Sequence, residues 1–204
     1  MKQSFLIYFS LVATGLCAGP TDRSRHDETV HKAGKFNGLA VAPLRIRRVV
    51  DSDAAEKTFN GTIQEIDIQI RRLNPDFSWG HSQLATRRQH KKRRTEKVLC
   101  HVQNLPPASR AAVEKNRDWL SSLATELSVD AQRCTKFSCI ENAAVWFCND
   151  NLQWIQQNSI TIADHIDSIL AKSDCATSGN DNFIQGQAFD GSSYNIIVNA
   201  DHCP

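Results

Sequence analysis

Apolar positions along this chain form one short run near the start and recur with two different periods further on. The run is Phe5–Leu6–Ile7–Tyr8–Phe9–Ser10–Leu11–Val12–Ala13, behind Lys2 and ahead of small residues ending at Ala18. A positive start, a short apolar core and a small-residue end are the features of a secretory signal peptide, so residues 1–18 are expected to be removed after Ala18. In Ile63–Ile70 two periods coincide. Ile66, Ile68 and Ile70 alternate as in a half-buried strand, while Ile63, Ile66, Ile70 and Leu73 fit a helix face equally well. Further on the periods separate. Lys97–Val102 reads as a strand, and Pro106–Pro107 open a helix carrying Ala112, Val113, Leu120, Leu123 and Leu127 on one stripe, with Trp119 at its margin. Arg133–Cys139 and Ala143–Cys148 read as two strands turning near Glu141–Asn142, and Asn149–Asp150–Asn151 marks a turn. Thr161 with Asp164 resembles a capping box, and Ile162, Ile166, Ile169 and Leu170 follow at helical spacing. Phe183–Ile184 and Tyr194–Val198, with Asp190–Gly191 as turn, close the pattern. The order β-α-β-β-α-β predicts an α+β fold, a two-layer sandwich with both helices on one face of a four-stranded sheet. A β-barrel decorated with helices is the alternative.

Charge divides the chain. Its 204 residues carry 24 Lys/Arg and 22 Asp/Glu, a net +2. Residues 19–94 hold 16 Lys/Arg against 9 Asp/Glu, a balance of +7, and residues 95–204 hold 7 against 13, a balance of −6. The boundary is the basic run Arg87–Arg88–Gln89–His90–Lys91–Lys92–Arg93–Arg94. Such a run is a nucleic-acid or nuclear-localisation patch, a solvated linker, or a processing site of the kind cut by kexin-like proteases. Processing at Lys91, Lys92, Arg93 and Arg94 fits the coincidence of the charge switch with the onset of cysteines. Arg47–Arg48 and Arg71–Arg72 are further dibasic pairs. Three regions are therefore expected: signal peptide 1–18, a largely disordered pro-segment 19–94, and a mature domain 95–204. Gly19–Lys35 is polar and aperiodic, as disordered segments are. The Ile63–Ile70 face needs a surface to cover it, and docking on the acidic domain before cleavage, aided by opposite charge, would supply one. Asn60–Gly61–Thr62 is a glycosylation acceptor within this segment.

Cys17 falls inside the signal, leaving Cys100, Cys134, Cys139, Cys148, Cys175 and Cys203, all in the acidic half. Six cysteines in an exported segment of this size imply up to three disulfides, in any of fifteen pairings. No C-x-x-C pair or finger-spaced histidine pair favours a metal instead. A signal peptide, a cysteine-free leader, a basic cut and a six-cysteine domain together resemble small secreted cysteine-rich effector proteins of plant-associated filamentous fungi. Ala144–Asn151, Ile162–Asp164, Gly186–Asp190 and Tyr194–Val198 carry the likeness, which is also similar, more distantly, to the killer toxins of smut fungi. The resemblance implies an extracellular, virulence-type protein that acts on another organism by binding a host protein or a target-cell surface component.

Candidate chemistry is sparse. His101, His165 and His202 are the histidines of the mature domain. His165 beside Asp164, with Asp167 near, has the makings of an oriented general base, and with His101 and Glu141 would mimic a small ribonuclease. On a helix beside capping residues, however, a solvated side chain is the ordinary expectation. No G-x-S-x-G, H-E-x-x-H or phosphate-cradling glycine loop occurs, no cofactor is implied, and Asp150, Asp164, Asp167, Asp174 and Asp181 match no calcium loop. The acidic balance of 95–204 argues against nucleic-acid binding, and no apolar stretch reaches the roughly 18–20 residues of a spanning helix. Aromatics anchor interfaces, so Trp154 and Trp146 are the candidate partner contacts, Trp154 as the more exposed and Trp146 with a core position as its competing role. The expectation is a non-enzymatic effector. A killer-type antimicrobial toxin and a small secreted hydrolase or ribonuclease are the alternatives.

Overall fold

The computed structural model describes residues 34–50, 55–79, 95–177 and 179–204. The signal-type segment 1–18, the polar stretch to residue 33 and the basic run 87–94 lie outside the described residues. Everything described belongs to one compact unit, Lys32–Pro204.

The N-terminal elements are ordered by their own local chemistry. Strands β1 (Lys35–Phe36) and β2 (Leu39–Val41) pair across Asn37–Gly38, whose φ of 51° and 79° are the left-handed values a two-residue hairpin needs. Strands β3 (Leu44–Arg48) and β4 (Lys57–Gly61) form a second hairpin. Helix α1 (Ile63–Leu73) resolves the ambiguous isoleucine pattern in favour of the helix. Thr62 and Glu65 decide it: the Thr62 backbone N–H donates to Glu65 Oε2 at 2.7 Å, and the Glu65 N–H donates back to Thr62 Oγ1. This reciprocal box satisfies two first-turn donors that a strand would not leave unpaired. The expectation of a largely disordered leader therefore does not hold for residues 34–50 and 55–79.

The second part contains β5 (Lys97–Cys100), β6 (Ala108–Ser109), α2 (Arg110–Leu123), β7 (Glu126–Val129), β8 (Arg133–Ile140), β9 (Ala143–Asn149), β10 (Ile155–Asn158), α3 (Ser159–Leu170), β11 (Ala176–Thr177), β12 (Asn180–Ile184), β13 (Gly186–Asp190) and β14 (Tyr194–Ala200). Helix α2 stops short of Leu127 because Ala124 turns left-handed at φ 47°, after which Leu127 and Val129 are buried in strand alternation. The cap of helix α3 lies three residues before Thr161. Pairing of β10 with β7 delivers Asn158 as the cap, its Oδ1 accepting from Ile160 N–H at 3.0 Å. The turn at Glu141–Asn142 falls where the pattern predicts, with both residues left-handed.

Among the described residues, three α-helices and many strands combine with three disulfides. The main sheet has seven strands rather than four, in the order β1-β2-β8-β9-β14-β13-β5. Strand β2 runs parallel to β8, and every other neighbour is antiparallel. Two of the strands beyond the expected four come from the leader, and β13 separates from β14 as a strand of its own. All seven residues of β9 are buried, because both faces of the sheet are covered there. On one face Val145, Phe147, Ile196 and Val198 meet α2, α3, α1 and the β3–β4 hairpin in a single core. On the other, Ala144, Trp146 and Ile197 meet Phe36, Leu39 and Val41 with the cysteines of β8 and β9.

The leader wraps the β8 edge. Ala42 N–H donates to Cys134 C=O at 2.9 Å, extending the β2–β8 ladder. Phe36 stacks on Trp146 with ring centroids 3.9 Å apart. Gln64 of α1 donates to Ser138 Oγ and accepts from Cys139 N–H, filling the place where β8 bulges away from β9. Ser138 in turn donates to the fully buried Asn116, whose amide donates to Ala112 and Ala143 carbonyls. Ion pairs among the described residues each stay within one segment, so apolar burial and hydrogen bonds make this join, not ion pairs.

Candidate functional site

The six predicted cysteines close three bridges. Cys100–Cys175 ties β5 to the turn after α3, Cys134–Cys148 joins directly opposed residues of β8 and β9, and Cys139–Cys203 fastens the C-terminal segment to β8. No helix among the described residues is long and apolar enough to cross a membrane. Among the described residues, no group of three or more His, Cys, Asp or Glu side chains is arranged to hold a metal. Lys91, Lys92, Arg93 and Arg94 lie outside the described residues. Asn60 is exposed on β4, its carbonyl accepting from Gln69. Arg47–Arg48 ends β3 and Arg71–Arg72 sits in the last turn of α1, so neither pair is presented as open chain.

His165 is not the solvated side chain expected. It is fully buried, since α3 starts at Ser159 and turns this position onto the sheet. Its Nδ1 lies 2.9 Å from Thr95 Oγ1, its Nε2 lies 3.0 Å from Tyr194 Oη, and Asp190 Oδ2 is 3.5 Å from the same nitrogen. Thr95 also donates to Ser168 Oγ at 2.8 Å. Burial raises the Asp190 pKa. Hydrogen bonds from the Ser192 backbone and hydroxyl, from Tyr194, and the nearby imidazole outweigh that cost and hold it below 3.8. Asp190 therefore stays ionised and fixes its turn, with Ser192 N–H donating to Oδ1 at 2.8 Å. The network joins α3, β14 and the start of β5 from within. His101 and Glu141 are exposed, unlike the buried His165, and Glu141 pairs with Lys115.

Two features open to solvent bear on function. The first is a cavity of about 520 Å³ between the leader and the acidic half. Arg45, Arg47, Arg48 and Trp79 line it from one side, and Thr125, Glu126, Ser128 and Gln156 from the other. Arg48 Nη2 donates to Thr125 Oγ1 at 2.6 Å across its floor, and a second cavity of about 380 Å³ continues past Arg45 and Arg47 to Asp130 and Thr135. The groove is not legible in the charge and cysteine pattern, which sets residues 19–94 apart from the acidic half. The Asn37–Gly38 and Thr62–Glu65 signals would have shown that the leader folds.

The second is the β9–β10 loop, where Leu152 and Trp154 are 81% and 64% exposed. The loop is nevertheless held in place. Asn149 Nδ2 donates to the carbonyls of Val129, Asp130 and Gln153, while Asn151 Nδ2 donates to Ser192 and Ser193 carbonyls at 2.9 and 3.0 Å. Trp154 immediately precedes β10, whose Gln156 lines the groove. Trp146, the other aromatic candidate, is buried between Phe36 and Lys136, with Lys136 Nζ 5.2 Å from its ring. No family model, no curated protein and no solved structure matches the chain.

Proposed function

We propose that this chain is a secreted effector protein of the filamentous-fungal type, matured by a kexin-like protease and acting by binding a host protein. The observation that carries this reading is the β9–β10 loop. Two large apolar side chains stand in solvent on a backbone pinned by Asn149 and Asn151. An exposed Trp on an ordered backbone binds without an ordering cost, which is the usual character of an interface anchor. The bridges support residence in an oxidising compartment. Burial of His165 supports binding rather than catalysis, because a group sealed by Tyr194 and α3 does not reach a substrate.

The test applies the purified secreted chain to plant tissue and, in parallel, to microbial cultures, with Trp154→Ala as the comparison. A host response that the substitution removes, without growth inhibition, supports the effector reading. Growth inhibition instead assigns the killer-type role. Activity retained by Trp154→Ala but lost in a folded His165→Ala variant overturns the non-catalytic reading.

A further inference from the structure

We infer that cleavage in the basic run does not free the acidic domain: the leader stays seated, and the secreted product is a non-covalent two-chain protein whose groove is built from both chains. The inference rests on the processing reading above and changes its product.

The leader is part of the core. Leu44, Ile46, Phe59, Ile63, Ile66 and Ile70 are buried in the same cluster as Phe147, Leu120, Ile166 and Ile196. Its first strands cover the opposite face, where Phe36 lies over Trp146. Removing it would bare apolar surface on both sides of β8 and leave the β8 ladder without its parallel partner. It would also strand polar groups. Ser138 and Cys139 N–H would lose Gln64, and Thr125 would lose Arg48.

Both ends of the connection are anchored independently of it. Trp79 is buried and donates from Nε1 to Asp67 at 2.6 Å, and Thr95 is bonded to Ser168 and His165. A cut anywhere in 80–94 therefore breaks no contact among the described residues. No disulfide crosses the cut, because all six paired cysteines lie at or beyond Cys100, so retention depends on packing alone. That packing is mainly apolar and holds no ion pair among the described residues, so salt should not loosen it. The functional consequence concerns the groove. Arg45, Arg47, Arg48 and Trp79 would belong to one chain of the product and Glu126, Ser128 and Gln156 to the other.

The experiment cuts the purified, non-reduced full chain in vitro with a kexin-type protease. A second form carries a site-specific protease sequence within residues 80–94, so that a cut is obtained in either case. Denaturing gels establish the cut, and size exclusion in buffer, in molar salt and in urea reads the association. The expected result is two fragments at one-to-one stoichiometry that co-elute in buffer and in salt and part only in urea. Phe36→Ala should part them at lower urea. Fragments that separate in buffer overturn the inference, as does a culture medium holding only 95–204. Recovery of the uncut chain alone from the medium would overturn the processing reading instead, with the in vitro cut still deciding retention.

Discussion

Ile66 offers the sharpest measure of how far the leader belongs to the fold. It is fully buried in α1, whereas Ile68 on the same helix is 52% exposed. Replacing Ile66 with Ala removes three carbons, about 2.4 kcal/mol at roughly 0.8 kcal/mol per buried methylene. The incompletely collapsed cavity raises the range to about 2–5 kcal/mol. At about 2–4 °C per kcal/mol for a chain of this size, the whole protein should melt roughly 4–20 °C lower. Ile68→Ala keeps the chemistry and removes the burial, so it should change stability by no more than about 0.5 kcal/mol. The assay is thermal and urea unfolding of the non-reduced chain by circular dichroism, with native-state hydrogen exchange read separately for α1 and for β9 and β14. If the leader and the acidic half share one core, Ile66→Ala lowers protection in β9 and β14 as much as in α1. Loss confined to α1, or equal effects of the two substitutions, would show that the leader is a docked appendage and refute the reasoning.

Three other outcomes follow from the same geometry. The folded Asp190 pKa lies below the unfolded one, so its carboxylate stabilises the fold above the unfolded value and that contribution fades as pH falls from about 4 through the folded value. Asp190→Asn should flatten this acid limb in urea titrations taken at successive pH values, and an unchanged limb would contradict the assignment. Loop-closure entropy gives the Cys100–Cys175 bridge, with a separation of 75, about 4–5 kcal/mol, and Cys134–Cys148, with a separation of 14, about 3 kcal/mol. Double serine variants should therefore rank in that order in urea midpoint. Gly186 lies where an added Cβ would come within 2.8 Å of Ile169 Cγ2 and 3.0 Å of Cys175 Sγ, so Gly186→Ala should cost about 1–3 kcal/mol in thermal unfolding.

Periodicity made the two long helices, the β8–β9 hairpin and the terminal hairpin legible in the sequence, because their apolar residues are local and unmixed. The errors have particular causes. Leu127 continues a helical spacing by coincidence, and only the left-handed Ala124 ends the helix before it. Thr161 and Asp164 look like a cap, yet the cap is set by β10 pairing with β7, a contact between residues far apart in sequence. His165 reads as solvated from its acidic neighbours, whereas the helix phase turns it inward onto Tyr194. Charge arithmetic separated the chain into two halves, but charge does not define a core. The unbroken apolar character of Ala143–Cys148 was the available sign that a second layer must cover its far face.

The pairing of β8 with β9 also sets which cysteines can meet. Cys134, Cys139 and Cys148 lie close together in the chain, whereas Cys203 follows Cys139 by 64 residues. Among these three neighbours, the Glu141–Asn142 reversal sets Cys134 opposite Cys148. The hairpin register thus selects the Cys134–Cys148 bridge and leaves Cys139 to the C-terminal Cys203, with β2 running along the outer edge of β8.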